Sequence, residues 1–297
     1  MRITMLGTGA AFADPDRAQS GILITLDNGK HYLFDCGAGI TRNMVRANVS
    51  PADIEAVFLT HMHHDHICDF PLFVITGWMW DRQNSPTVIG PKGTEHFCRS
   101  LFEGGAFKAD FEARSHYSRR KSNLAAVRPK VIECEPGLAY EDEHVKIYCD
   151  WVEHIPRELS ECFGVRLEAE GKSVAFSGDT APCDAMVRLG QDADVLIHEC
   201  TFPESFLEHR KKSNVGIYSH TSPIELGKLA AKANPKLLVA THFGHFDCTS
   251  ALIKRVAAHH FPVDQMGPHL MEEVVTDIRK GYQGRLQLAT DMLRIDI

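Results

Sequence analysis

The chain has 297 residues, of which 44% are hydrophobic and 24% charged, and its formal net charge is −7. This length suffices for one large domain or two small ones, and the composition is that of a soluble globular protein. The negative charge argues against a general attraction to nucleic acid. No apolar run approaches the roughly 20 residues of a membrane-spanning helix.

The nine cysteines are odd in number and contain no Cys-x-x-Cys pair. This pattern favours reduced thiols over a disulfide framework. The chain enters a strand-like run at its first residues, without the apolar core of a secretory signal. We therefore expect a cytoplasmic protein.

In the first half, short apolar runs alternate with turns rich in Gly, Asp and Asn, which is the pattern of strands. Asp27-Asn28-Gly29 is a predicted hairpin turn between the second and third strands. The predicted strands are Arg2–Leu6, Ile22–Leu26, His31–Phe34, Ala56–Leu59 and Thr87–Ile89.

Residues 60–66 read Thr-His-Met-His-His-Asp-His and follow the fourth predicted strand. Loops at strand ends are where sites in α/β folds usually form. In an extended loop His61 and His63 point to one side, and Asp65 and His66 would open a helix facing the same cavity. Imidazole and carboxylate are the ligands expected for zinc, iron or manganese. This set suits two metal ions better than one, and the alternative is a solvated His-rich loop.

After a helical, loop-rich middle the strand pattern resumes, with a predicted turn at Glu170-Gly171-Lys172. Ser222-Pro223-Ile224-Glu225 is a capping box with proline at the first helical position, so a helix is expected to begin there. A second helix is expected over Ser250–His259. The predicted strands of this half are Val145–Cys149, Phe163–Glu168, Ser173–Ser177, Val195–His198 and Leu237–Thr241.

Two successive blocks of strands and helices predict an α/β fold with two halves packed face to face and helices outside. This architecture is a four-layer αββα sandwich with the metal-binding loops at one edge. No tandem repeat, low-complexity tract or obvious linker interrupts residues 1–297. We therefore expect a single domain over the whole chain.

Three more residues able to bind metal follow predicted strands in the second half. They are His154, Asp179 and His242. Each would be ordinary alone, because a single histidine at a strand end is more often structural or superficial. Together with the 60–66 loop they form a set, and the set predicts a centre with two metal ions.

With these residues the chain resembles the metallo-β-lactamase superfamily over nearly its whole length. The resemblance implies that the αββα sandwich is the metallo-β-lactamase fold and that Asp179 bridges two metal ions. One ion would be held by His61, His63 and His154, and the other by Asp65, His66 and His242. Flavodiiron oxidoreductases of this fold carry glutamate at the position of His63, so the histidine favours hydrolysis over oxygen reduction.

Shorter blocks resemble the ribonuclease Z-like branch of the superfamily. These blocks are Gly7-Thr8-Gly9, Phe34-Asp35-Cys36-Gly37, His198-Glu199-Cys200-Thr201-Phe202, Ser177-Gly178-Asp179-Thr180 and Leu288-Ala289-Thr290-Asp291-Met292. In ribonuclease Z a His-Glu-Ala-Thr segment and a His-Ser-Thr segment assist the metals. This chain has Cys200 in place of the alanine and begins the second segment at His220. The resemblance implies that His220 contacts the scissile group or protonates the leaving group, with Glu199 orienting it, whereas His198 is structural.

The spacing departs from ribonuclease Z in one place. Ribonuclease Z enzymes carry a long tRNA-gripping arm between the third-motif histidine and the bridging aspartate. The corresponding residues here, His154 and Asp179, are only 25 positions apart, and two predicted strands fill the interval. The interval leaves no room for the arm, which argues against processing of tRNA 3′ ends while leaving the catalytic chemistry in place.

The sequence thus predicts a metal-dependent hydrolase, first of all a phosphodiesterase that uses a metal-bridging hydroxide, with Asp65 orienting or deprotonating the water. The expected cofactors are two divalent ions, zinc first and manganese or iron as alternatives. The expected partners are an anionic ester such as RNA or a nucleotide, no membrane, and a second copy in a homodimer. A sulfatase, lactonase or β-lactamase activity on the same metals stays open, as does a non-catalytic binding protein.

Residues 114–130 carry six Lys or Arg and no Asp or Glu. A basic segment of this kind could receive an anionic substrate. The alternative is a solvated loop, and the position of the segment relative to the metals would distinguish the two.

Overall fold

Polar turns cut the apolar strand runs into short pieces, and these assemble into two sheets. The computed structural model describes residues 1–117, 123–213, 219–258 and 261–297. The chain falls into two units, each with its own sheet and core. Unit 1 comprises Met1–Gly7, Ala18–Glu135 and Asp291–Ile297, and unit 2 comprises Thr8–Arg17 and Pro136–Thr290. A single domain over 1–297 stays a prediction.

The strands are short, and most of them bury the greater part of their length. Within the described residues they are β1 Arg2–Gly7, β2 Gly21–Thr25, β3 His31–Phe34, β4 Ile54–Phe58, β5 Thr87–Gly90, β6 Lys130–Glu133, β7 Gly137–Glu141, β8 Lys146–Trp151, β9 Phe163–Ala169, β10 Lys172–Phe176, β11 Val195–Glu199, β12 Leu238–Thr241, β13 Leu286–Leu288 and β14 Arg294–Asp296.

Several helices pack against the sheet of their own unit, and others pack against neighbouring helices. Those described in unit 1 are α1 Ile40–Arg46, α2 His64–Ile67, α3 Phe70–Met79, α4 Thr94–Phe102 and α5 Lys108–Ser115. Those described in unit 2 are α6 Asp184–Leu189, α7 Leu207–Ser213, α8 Pro223–Ala233, α9 Ala251–Ala257 and α10 His269–Arg279.

The sheet of unit 1 has the order β14-β1-β2-β3-β4-β5-β6. The predicted turn Asp27-Asn28-Gly29 joins antiparallel β2 and β3, and Gly29 supplies the positive φ of 84° that this turn needs. From β3 to β6 the strands run parallel. The carboxyl ends of β3 and β4 therefore lie at the same edge of the sheet.

The sheet of unit 2 has the order β13-β12-β11-β10-β9-β8-β7. The strands β10, β11, β12 and β13 are parallel neighbours, whereas β7 to β10 form an antiparallel meander. Because β8 is separated from β10 by one antiparallel strand, the carboxyl ends of β8, β10, β11 and β12 all reach one edge. The residues that follow these four ends are brought together.

Both late helices begin where the sequence predicts. The Ser222 side chain accepts a hydrogen bond from the backbone N–H of Glu225, and Pro223 occupies the first helical position of α8. Ser250 caps α9 in the same way. The helix α9 ends at Ala257, and residue 259 of the prediction lies outside the described residues.

The four strands at the sheet edges, β6, β7, β13 and β14, escape the sequence pattern. β14 pairs with β1 at the other end of the chain, and β13 pairs with β12. β13 and β14 have only three residues each, too few to show an alternating pattern. Among the described residues, no helix is long and apolar enough to span a membrane.

Candidate metal centre

The loop after β4 carries the first group of predicted ligands. His61, Asp65 and His66 are buried, and His63 is exposed. Ligand atoms of His61 and His63 lie within 4.8 Å of each other, as do those of Asp65 and His66. The Nε2 atom of His66 is 3.5 Å from Asp65 Oδ2. Unit 1 thus gathers three imidazoles and a carboxylate at one sheet edge.

Asp35, which follows the neighbouring strand β3, supports this loop. Its carboxylate accepts hydrogen bonds from the backbone N–H of Thr60 at 2.8 Å, from the Thr60 hydroxyl at 3.0 Å and from His66 Nδ1 at 2.6 Å. The side chain is fully buried, and its backbone lies in the left-handed region at φ 59°. Such a conformation is uncommon for a residue with a side chain and is found where surroundings hold it for a function. In the sequence, Asp35 stands out only as part of the family block Phe34-Asp35-Cys36-Gly37.

The ends of β8, β10 and β12 bring together the second group. The Nε2 atoms of His154 and His242 lie 3.7 and 3.2 Å from the two oxygens of Asp179. All three side chains are at most 5% exposed. His242 also has a left-handed backbone, at φ 58°. Unit 2 thus places the predicted bridging carboxylate between two imidazoles.

Glu199, at the end of β11, forms a buried ion pair with His220. Its Oε1 atom lies 2.8 Å from His220 Nδ1 and accepts the N–H of Thr180, while Oε2 accepts the Thr201 hydroxyl at 2.7 Å. Burial raises the pKa of Glu199, but the neighbouring His220 outweighs it and the pKa is lowered. Burial lowers the pKa of His220, but the charge of Glu199 outweighs it and the pKa is raised. The pair is therefore carboxylate and imidazolium over a widened pH range.

Glu199, His220 and His242 also form a group of potential metal ligands. The direct contact of 2.8 Å between Glu199 and His220 is a charge-assisted hydrogen bond and leaves no space for an ion between the two groups. His220 remains 17% exposed, which is the property expected of a group that meets substrate. This geometry favours a proton-transfer role for the pair over metal ligation.

The donor set of the predicted ligands fits a divalent metal. Burial lowers the pKa of His154, partly offset by Asp179, and so favours the neutral ring that a metal requires. Imidazole nitrogen and carboxylate oxygen are ligands for zinc, iron and manganese. The clusters in each unit therefore support divalent metal binding.

Other predicted residues are placed as follows. His198 is fully buried, with Nδ1 2.9 Å from the backbone oxygen of Glu199, in agreement with a structural role. Residues 155–178 contain only β9, β10 and their connecting loops, as the spacing predicts, and no arm. Of the basic segment 114–130, residues 118–122 lie outside the described residues.

Comparison with known proteins places this arrangement in a family. The family model described as Anti-Pycsar protein Apyc1 matches residues 1–238. Ribonuclease Z of Mycobacterium marinum is 33% identical over 251 residues, which cover 82% of this chain and 86% of that protein. The metallo-β-lactamase fold protein YhfI of Bacillus subtilis has a TM-score of 0.72 and 19% identity, covering 99% of this chain and 98% of YhfI. Human tRNase Z, short form, has a TM-score of 0.66 and 22% identity, covering 100% and 99%.

The fold and the donor set define a metal-dependent hydrolase of the metallo-β-lactamase superfamily, in its ribonuclease Z-like branch. Within it, the chain belongs to the family described as Anti-Pycsar protein Apyc1. The predicted α/β class, a four-layer αββα metallo-β-lactamase sandwich, is confirmed by these likenesses. The predicted hydrolase class is confirmed with it.

Proposed function

We propose that this hydrolase is a phosphodiesterase with two divalent metal ions. The observation that carries the proposal is the grouping of imidazoles with a carboxylate at the sheet edge of each unit. Following the resemblance, His61, His63 and His154 hold one ion, Asp65, His66 and His242 hold the other, and Asp179 bridges them. When bound, such a pair supplies a nucleophile at neutral pH and neutralises charge on the phosphoryl oxygens.

The chain's own residues then divide the remaining work. Asp65 orients the attacking water or takes its proton. Protonated His220 donates a proton to the leaving oxygen of the ester. Glu199 fixes the ring of His220 through the 2.8 Å contact and keeps it charged. This division requires no further proton donor, because the ion pair of Glu199 and His220 is already formed in the structure.

The substrate in this proposal is a small anionic ester of the nucleotide class or an RNA end. The segment between His154 and Asp179 supports it, because it contains β9, β10 and their connecting loops and no long arm that could grip tRNA. Ribonuclease Z relatives support the phosphodiester class. A long folded RNA would have no such arm to hold it.

The first test is hydrolysis of bis(p-nitrophenyl) phosphate by metal-loaded protein. We expect turnover that disappears in Asp179→Ala and in chelator-treated wild type. Turnover would then justify assays with RNA and with cyclic nucleotides. If both metals are bound and no phosphodiester turns over, the proposal fails and sulfate esters, lactones and β-lactams become the assays of choice. If no metal binds, the chain is a non-catalytic member of the fold.

We extend the proposal to zinc as the metal and to a cytoplasmic homodimer, both on the family resemblance. Elemental analysis of protein purified without added metal should give two zinc ions per chain. Light scattering behind a sizing column should give twice the chain mass of 33.2 kDa. A mass of one chain would end the homodimer proposal without touching the hydrolytic one.

A further inference from the structure

Nδ1 atoms of the buried histidines lie beside fixed hydrogen-bond partners. Nδ1 of His66 is 2.6 Å from Asp35 Oδ2, and Nδ1 of His154 is 2.8 Å from the backbone oxygen of Ser219. A carboxylate or carbonyl oxygen only accepts hydrogen bonds. Both rings therefore carry a proton on Nδ1, and in their neutral form Nε2 is the atom left for a ligand.

His242 has a less direct partner, the hydroxyl of Thr201. Its Nδ1 lies 3.1 Å from Thr201 Oγ1, which is itself 2.7 Å from Glu199 Oε2. A hydroxyl has one proton to donate and two lone pairs that accept. Because the carboxylate of Glu199 accepts that proton, the Thr201 oxygen has only lone pairs for His242. The His242 ring must then donate from Nδ1, which leaves Nε2 toward Asp179.

The same arrangement recurs in unit 1. Nδ1 of His61 lies 3.1 Å from Thr60 Oγ1, and that hydroxyl lies 3.0 and 3.1 Å from the two oxygens of Asp35. The Thr60 hydroxyl is buried, and its proton goes to Asp35 for the same reason. The His61 ring therefore also donates from Nδ1. Two carboxylates thus reach two histidines through a threonine hydroxyl.

We propose that Thr60 and Thr201 are positioning residues that fix the metal-facing nitrogen of His61 and His242. This inference rests on the proposed metal centre. Each hydroxyl acts as a relay: it donates to a buried carboxylate and accepts the Nδ1–H of the histidine. The relay sets both the tautomer and the tilt of the ring, as carboxylates and carbonyls do for histidine ligands generally.

Removal of the Thr201 hydroxyl should weaken metal binding. Valine has nearly the shape of threonine, so Thr201→Val leaves the packing in place but takes away the acceptor. The Nδ1–H of His242 then loses its partner in a buried place, and the ring is free to adopt the tautomer that protonates Nε2. Loss of such a supporting group typically weakens metal binding 10–100-fold. Serine keeps the hydroxyl and should restore most of the affinity.

The experiment measures tautomers and metal affinity rather than turnover. Zinc-loaded protein with ¹⁵N-labelled histidine reports by NMR which ring nitrogen carries the proton and which binds the metal, with His61→Gln and His242→Gln identifying the peaks. Zinc affinity is measured by competition with a chelator for wild type, Thr60→Val, Thr201→Val and the two serine variants. Thr94→Val is the matched control, because Thr94 is buried and its hydroxyl donates to the backbone oxygen of Pro91.

We expect His61 and His242 of wild type to be protonated on Nδ1 when neutral. Thr60→Val should shift the tautomer of His61 and Thr201→Val that of His242, and each variant should bind zinc 10–100-fold more weakly. Serine variants and Thr94→Val should stay within about threefold of wild type. Wild-type rings protonated on Nε2, valine variants with unchanged affinity, or serine variants as weak as valine would each overturn the proposal. Because turnover is not measured, a protein that binds zinc this way yet hydrolyses no phosphodiester would refute only the proposed function.

Discussion

Asp35 in unit 1 and Glu199 in unit 2 are fully buried carboxylates, each at the end of a strand within a parallel part of its sheet. Each contacts one histidine directly and a second through a threonine hydroxyl. The two differ in what the direct contact serves. Asp35 holds His66, a buried predicted metal ligand, whereas Glu199 holds His220, which is partly exposed and raised in pKa.

This difference shows how one device supports two kinds of chemistry. A carboxylate beside a buried ring fixes a ligand, since the proton on Nδ1 leaves Nε2 for metal. A carboxylate beside a ring that reaches solvent keeps that ring protonated, as an acid needs. Of the two histidines that these carboxylates contact directly, the buried His66 is the predicted ligand and the partly exposed His220 the predicted acid.

The largest effect is expected from Glu199→Gln. The amide has no charge to keep His220 protonated, so we expect kcat on bis(p-nitrophenyl) phosphate to fall about 10²–10⁴-fold. Zinc affinity should fall less, by at most about 10–100-fold through the Thr201 contact to His242, because His220 itself is not a predicted ligand. Glu143→Gln, on a side chain 85% exposed, serves as control. A loss of zinc that accounts for the whole loss of activity would make Glu199 equivalent to Asp35.

For Asp35→Asn we expect the main loss in zinc affinity rather than in kcat. The amide nitrogen of the asparagine cannot accept the hydrogen bonds that the Asp35 carboxylate now accepts. Both His61 and His66 would therefore lose their support. We expect zinc affinity to fall about 100-fold and the free energy of unfolding to fall by about 2–3 kcal/mol. Chelator competition and urea unfolding measure the two, with exposed Asp264→Asn as control. Wild-type affinity in Asp35→Asn would show that the direct contact does not position His66.

The Glu199–His220 pair should also give unit 2 a pH-dependent stability. The raised pKa of His220 contributes stability that is full below about pH 6.5 and is lost as pH rises through the raised value. The lowered pKa of Glu199 contributes stability above about pH 4.3 that is lost as pH falls through the lowered value. In chelator-treated protein, the stability difference between wild type and Glu199→Gln should be widest between these limits. Urea unfolding across pH 3–9 tests this, and a constant difference would contradict it.

The smallest effect on stability and zinc binding is expected from Ser222→Ala, which lies two residues after His220. Loss of the cap of α8 should destabilise the protein by about 1 kcal/mol in urea. Zinc affinity should not change, because no predicted ligand lies on α8. Ser50→Ala, which removes the Oγ that accepts from Ala52 in unit 1, is the matched variant. Altered zinc affinity in Ser222→Ala alone would mean that the start of α8 also positions the site.

The sequence singles out the candidate ligands because each follows a strand run, where pattern and chemistry coincide, and their binding of metal stays a prediction. The strand and helix starts near His61, Asp179 and Ser222 follow from the same local signals. Asp35, Thr60 and Thr201 received no role, although all three also sit at strand ends. Their proposed function depends on which strands are neighbours in the sheet. The pairing of β3 with β4, or of β11 with β12, cannot be predicted from the sequence of either strand alone.

The pairing of short edge strands is hidden for a related reason. β14 has three residues and gains its stability from β1, nearly 300 positions away in the chain. Neither composition nor period can indicate such a partner. The lack of a long arm between His154 and Asp179, by contrast, can be predicted from the sequence. An interval of 25 positions is too short for a large insertion, whatever its fold.

The segment Thr8–Arg17 belongs to unit 2 although the chain on both sides of it belongs to unit 1. It flanks a predicted ligand: the N–H of Phe243 donates to Thr8 O at 2.9 Å, and the N–H of Ala10 donates to Phe243 O at 3.1 Å. Its Arg17 forms a 2.7 Å ion pair with Asp247. A gene fragment that begins at residue 136 would therefore encode His242 without the backbone that braces it. A C-terminal piece made by cutting the gene in the middle should therefore unfold more easily than the same piece supplied with a peptide of residues 8–17, because the peptide restores the two backbone hydrogen bonds to Phe243.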